Sequence, residues 1–131
     1  MLRDEMLTLC EGYSLAGKTS KANVTNVIDF GETVVAPGVN KRGAGYLNIQ
    51  ITADVTGGAT PAIEIRDSAD NSSFAQVSGT GSISLAGKKA GEYISVLLPK
   101  VRRYLTVAYS AGTAVSAGEV TVWLGDNATK H

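Results

Sequence analysis

Tyr46-Leu47-Asn48-Ile49-Gln50-Ile51-Thr52-Ala53-Asp54 is the stretch that decides how this chain folds. Its apolar members, Leu47, Ile49, Ile51 and Ala53, fall on every second residue, and Asn48, Gln50, Thr52 and Asp54 fill the places between. A strand turns successive side chains to opposite faces, so this spacing makes one face apolar and the other polar. The same alternation recurs on either side. Residues 62–67 set Ile63 and Ile65 against Glu64 and Arg66, and residues 92–98 align Ile94, Val96 and Leu98. Residues 104–110 align Leu105, Val107 and Tyr109, and residues 119–124 align Val120, Val122 and Leu124. Shorter candidates lie at 24–30, 74–78 and 82–85.

Turn chemistry separates these segments. Gly57-Gly58, Asp70-Asn71-Ser72-Ser73, Gly79, Gly81, the stretch from Gly87 to Gly91, Pro99 and Gly112 all fall between alternating runs. Glycine supplies the positive φ of tight hairpins, and Asp and Asn cap their own turns. Many short half-buried strands without a long helical pattern predict an all-β protein: an antiparallel β-sandwich, or a jelly roll, of about eight strands.

Composition agrees. At 131 residues the chain fits one domain, and burial of roughly two-thirds of the unfolded surface lets a single core hold it. Fifteen glycines, 18% charged and 6% aromatic residues suit strands and turns. Twelve basic residues balance twelve acidic ones, which argues against a nucleic-acid partner, since phosphate affinity comes from an excess of Lys and Arg. The opening Met1-Leu2-Arg3-Asp4-Glu5 puts acids where a signal peptide needs apolar residues, and no apolar run approaches the roughly 20 residues of a membrane span. A soluble protein made in a cytoplasm is expected.

Two segments fall outside the alternation. Residues 1–22 read as an N-terminal arm, distinct from a sandwich domain over 23–131, and removal of residues 1–12 is expected to leave the fold intact. Residues 32–45 read as a long loop with Lys41-Arg42 near its tip. Such segments are unusual in a compact sandwich unless they touch something.

The inventory for catalysis is thin. The single histidine is the last residue, His131, and the single cysteine, Cys10, has no histidine near it in sequence. Cys10 therefore reads as a small apolar residue, and one chain cannot assemble a Cys/His zinc site. Asp67, Asp70 and Asn71 carry oxygens of the kind that suits a cation, but their spacing reads as a capped β-turn. Asp54, Glu64 and Glu92 stand at polar or edge positions, where solvated surface is expected. The glycine-rich pieces lack any phosphate-loop pattern. The sequence thus predicts no catalytic residue, no cofactor and no metal. Lys100, Arg102 and Arg103 form a basic cluster after Pro99, where arginine's planar fork suits an acidic protein partner.

Five motifs then occur in order: Met1-Leu2-x-Asp4-x-x-Leu7, Asn26-Val27-Ile28-Asp29-Phe30-Gly31, Ser68-x-Asp70-Asn71-x-x-Phe74, Leu97-Leu98-Pro99-x-x-x-Arg103-Tyr104-Leu105, and Ala117-Gly118-x-Val120-Thr121. The series resembles the capsid cement, or decoration, proteins of tailed bacteriophages of the Bordetella-phage type. That resemblance implies a jelly-roll virion protein made in the host bacterial cytoplasm. It would bind the outer surface of an assembled capsid and bridge major capsid subunits as a homodimer or homotrimer, with no membrane involved. The residues expected at such an interface are Leu2, Arg3, Asp4 and Leu7 of the arm, Lys41 and Arg42 of the loop, Lys100, Arg102 and Arg103, and Trp123. The alternative is a carbohydrate- or receptor-binding sandwich module, for which Trp123 and Tyr93 are the candidate stacking platform, although Trp123 is expected to be covered by an arm or a partner.

Overall fold

The computed structural model describes residues 8–19, 22–23, 26–31, 45–77, 82–98 and 100–125, with residues 22–23 known by their backbone only. Among these residues there is no helix. The strands are β1 (Thr8–Ser14), β2 (Ala22–Asn23), β3 (Ile28–Asp29), β4 (Tyr46–Thr56), β5 (Ala62–Ser68), β6 (Ala75–Gln76), β7 (Ser82–Ser84), β8 (Tyr93–Leu97), β9 (Tyr104–Ser110) and β10 (Ala117–Gly125). They form two antiparallel sheets. One runs β1-β10-β4-β8; the other runs β2-β9-β5-β6, with β3 also on β9 and β7 also on β5. Since β2 and β3 share a lane, as do β6 and β7, each sheet has four lanes. The chain changes sheet at each step between lanes except from β5 to β6 and β7, and the resulting strand order is that of two Greek keys, so the sandwich is a jelly roll.

The alternating segments form the centre of each sheet. Val120 pairs with Ile51, Val122 with Ile49 and Leu124 with Leu47 across β10 and β4. Opposite them, Ile63 pairs with Tyr109 and Ile65 with Val107 across β5 and β9. These side chains belong to one buried core cluster. The outward faces depart from the expected polar surface: Glu64 is only 5% exposed, with Arg66 Nε at 3.6 Å from its Oε1. The solvated position predicted for Glu64 is therefore corrected. Its place on the outer face holds, but that face is covered there and the carboxylate is paired with a cation.

Residues 8–14 also correct the sequence reading. The arm expected over 1–22 is, from Thr8 onward, part of the sandwich, since β1 pairs antiparallel with β10. Its ladder is irregular, with register shifts between Thr8 and Cys10 and between Cys10 and Tyr13. Gly12 sits at φ 62° and its amide donates to Thr121 Oγ1 at 3.1 Å. These bulges break the period of two, so Leu9 and Cys10 are buried side by side in sequence and no alternation is left to read. Removing residues 1–12 would strip most of this strand and two core side chains. The arm is dispensable at most as far as residue 7, and the residues before Thr8 lie outside the described ones.

Burial pushes the Cys10 thiol up from 9.0 to about 11, with a backbone hydrogen bond from Val122 opposing. Desolvation also raises the Tyr13 and Tyr109 hydroxyls above 10.0, and their rings meet edge to face at 6.4 Å. In each case the folded chain holds its proton to higher pH than the unfolded chain, so the stabilisation is complete below the unfolded value and lost as pH climbs. The urea midpoint is expected to fall as pH rises from 9.0 towards about 11, and Cys10→Ala should flatten the early part of that fall. A midpoint constant across this range would contradict burial of the thiol.

The end of the sandwich bearing the connections β4–β5, β7–β8 and β9–β10 is closed by backbone bonds. Ala59 and Thr113 bridge, Val55 N donates to Lys88 O at 2.9 Å, and Ser116 N donates to Thr56 O at 2.8 Å. Gly58 is fixed by this closure. It has φ 67°, and a Cβ there would lie 2.6 Å from Thr113 O and 2.7 Å from Val115 N, both backbone atoms. Gly87 has a similar φ of 68° but open space around it. Gly58→Ala should therefore lower stability by more than about 1 kcal/mol and by clearly more than Gly87→Ala, as read from denaturant midpoints. Equal losses would show that backbone conformation alone, and not the close approach, governs this turn.

Candidate interface

The opposite end gathers the turn after β8 and the turn after β5. Leu98 N donates to Gly45 O at 2.9 Å, Gly45 N donates to Gly125 O at 2.8 Å, and Phe30 N donates to Arg103 O at 2.9 Å. Leu98 and Val101 are buried and pin the crossing from β8 to β9 into the core. Pinning these two apolar residues leaves Lys100, Arg102 and Arg103 on the outside. Lys100 and Arg103 are exposed and Arg102 is half-buried.

The arginines are engaged within the chain. Arg102 donates from its main-chain N to Asp67 Oδ2 at 2.9 Å and from Nε and Nη2 to Oδ1 at 3.1 and 2.9 Å. Its Nη2 also donates to Asp67 O at 2.9 Å. Arg103 makes a two-pronged contact with Asp29, Nε to Oδ1 at 2.7 Å and Nη2 to Oδ2 at 2.9 Å, while its guanidinium lies 5.0 Å from the Tyr104 ring centre. Hydrogen bonding to Asp67 and Asp29 respectively holds each guanidinium above its ordinary value, with the carboxylate charges adding to the effect. Lys100 makes no ion pair or hydrogen bond among the described residues.

Asp67 shows what the sequence reading missed. It follows Ile63 and Ile65 on the same parity, so a carboxylate is carried towards the interior and needs a cation. That misplaced charge was a legible signal for the Arg102 contact. Asp29 carried no comparable mark. The turn after β5 is capped as expected: Asp70 Oδ1 accepts from Ser68 Oγ at 2.8 Å, Ser72 N at 2.9 Å and Ser73 N at 3.1 Å. These bonds, the one from Ser73 foremost, hold the Asp70 carboxyl below its usual range. Asn71 takes the left-handed φ of 59° that the turn needs. No group of three His, Cys, Asp or Glu side chains among the described residues is placed to share a metal ion.

Between β6 and the turn after β8 lies an open cleft of about 420 Å³, lined by Asp67, Gln76, Val77, Lys100 and Arg102. Trp123 does not contribute to any such surface. It is 3% exposed, on the outward side of β10, against Tyr93 edge-on at 6.3 Å. This burial agrees with the expected covering of the ring and leaves no open indole face on which a sugar could stack. Leu2, Arg3, Asp4, Leu7, Lys41 and Arg42 lie outside the described residues.

Such a molecule is a small antiparallel jelly-roll protein with a charged turn at one end. The chain belongs to the Bbp16 family, whose model matches residues 16–124. The family name associates it with a Bordetella phage. No curated protein matches the chain.

The two arginine contacts differ in burial: the Asp67 side chain is 10% exposed and the Asp29 side chain 41%. Exposed ion pairs contribute little, whereas a carboxylate left unpaired in a covered site is destabilising. Arg102→Met should therefore lower the thermal midpoint clearly more than Arg103→Met. The reverse order would show that the Asp67 contact does not hold this turn.

Proposed function

We propose that this protein is a structural component of a phage virion that binds the outside of the assembled capsid and bridges major capsid subunits as a cement protein. Family membership over residues 16–124 is the observation that carries this reading. The geometry supports it in two ways. The body is a two-sheet sandwich with backbone hydrogen bonds closing both ends, and one end presents a turn whose shape is further set by arginine–carboxylate clamps. A cement protein stabilises a shell by binding the assembled state better than free subunits, so mass action shifts the equilibrium towards the shell. Many copies, each engaging neighbouring subunits as a dimer or trimer, act through effective concentration instead of one strong contact. The protein carries out no chemistry in this role. The carbohydrate-binding alternative loses its main support with the burial of Trp123, because sugar stacking needs an open aromatic face.

Co-sedimentation of the purified protein with empty capsids of the phage tests the reading. Saturable binding at a fixed ratio to the major capsid protein is expected, together with a higher temperature of capsid disruption. Protein that stays in the supernatant at every concentration, or binds unassembled subunits equally well, would refute it.

A further inference from the structure

We infer that the cleft between β6 and the turn after β8 is a seat for a carboxylate side chain from an acidic segment of the partner protein. This inference rests on the capsid-binding reading for the partner's identity, but its chemistry is argued from the cleft alone. Arg102 commits Nε and Nη2 to Asp67, and Nη1 has no hydrogen-bond partner among the described residues. Both Asp67 carboxylate oxygens are taken up by Arg102, one by the side chain and one by the main-chain N–H. Asp67 thus holds the guanidinium in a fixed attitude, which reduces the ordering that binding would otherwise require.

Lys100 adds the uncompensated charge. It is exposed, lines the same cleft and has no partner among the described residues. The exposed Gln76 adds an amide and buried Val77 an apolar wall. With Arg102 balanced by Asp67, the lining carries one net positive charge; Asp70 stands outside the lining with its carboxylate hydrogen-bonded within its own turn, though its charge still reaches Arg102. One cation in excess matches one carboxylate. It does not match a nucleic-acid backbone, which needs many cations and which the 12:12 charge balance of the whole chain disfavours. A lone ion pair at an open site is weak, so the cleft acts as one contact within a larger interface.

Two experiments on the full chain test this. NMR titration with a capped glutamate tripeptide should give saturable shifts centred on the Gln76 side-chain amide, Lys100 and Arg102, with weak, millimolar-range affinity. The glutamine tripeptide should give none. Inorganic phosphate moving the same signals as strongly would overturn the carboxylate assignment, as would no response to the glutamate peptide. In capsid co-sedimentation, Lys100→Glu should weaken binding about tenfold, because like charges then meet. Lys89→Glu, the same charge change at the closed end, should not. If wild-type protein binds capsids and Lys100→Glu binds equally, the cleft is dismissed and the capsid reading stands. If wild-type protein ignores capsids while the glutamate peptide still binds, the capsid reading falls and the carboxylate seat stands.

Discussion

The fold depends on the packing of the β4–β10 ladder against the β5–β9 ladder. Each ladder alone would leave a full apolar face in water; together they bury both, and the connections β1–β2, β3–β4, β4–β5, β7–β8, β8–β9 and β9–β10 must then cross from one sheet to the other at an end of the sandwich. Crossing strips main-chain groups of their ladder partners, so the ends need their own hydrogen bonds. One end meets the need with glycine turns bonded backbone to backbone. The other meets it partly with carboxylates: Asp67 accepts from Arg102 N, and Asp29 Oδ1 accepts from Gly31 N at 2.8 Å.

That division explains why charged residues concentrate where they do. Arg102 and Arg103 look like surface residues reaching for a partner, yet both complete the fold first. Lys100 is different, since it borders a cleft and is tied to nothing among the described residues. The distinction separates residues that shape the candidate interface from one that is placed to contact what arrives there. Substituting the arginines would change shape and charge together, and only the lysine isolates charge.

Much of the sandwich was legible because half-buried strands impose a period of two. The central strands, β4, β5, β9 and β10, all announce themselves this way. β1 did not, because its bulges and Gly12 destroy the period that pattern reading relies on, so a strand that contributes to the core passed for part of an arm. Strand order was also out of reach, since β1 and β10 meet across nearly the whole chain and nothing local records that. Trp123 was placed on the correct side of its strand, but alternation reports direction and not whether that side is covered. Asp67 was the missed opportunity: a carboxylate at an apolar parity is a local fact with a non-local meaning, and it pointed to a cation elsewhere in the chain.

The irregular ladder of β1 has one more consequence. In the described order of its sheet this strand forms the rim opposite β8. A straight rim strand is a template on which an identical molecule can zip, and repetition of that event grows filaments. A rim kinked at two places along Thr8–Ser14 presents no continuous row of donors and acceptors for such copying. This rim is thereby steered away from edge-to-edge copying, leaving side-chain chemistry to decide what it joins.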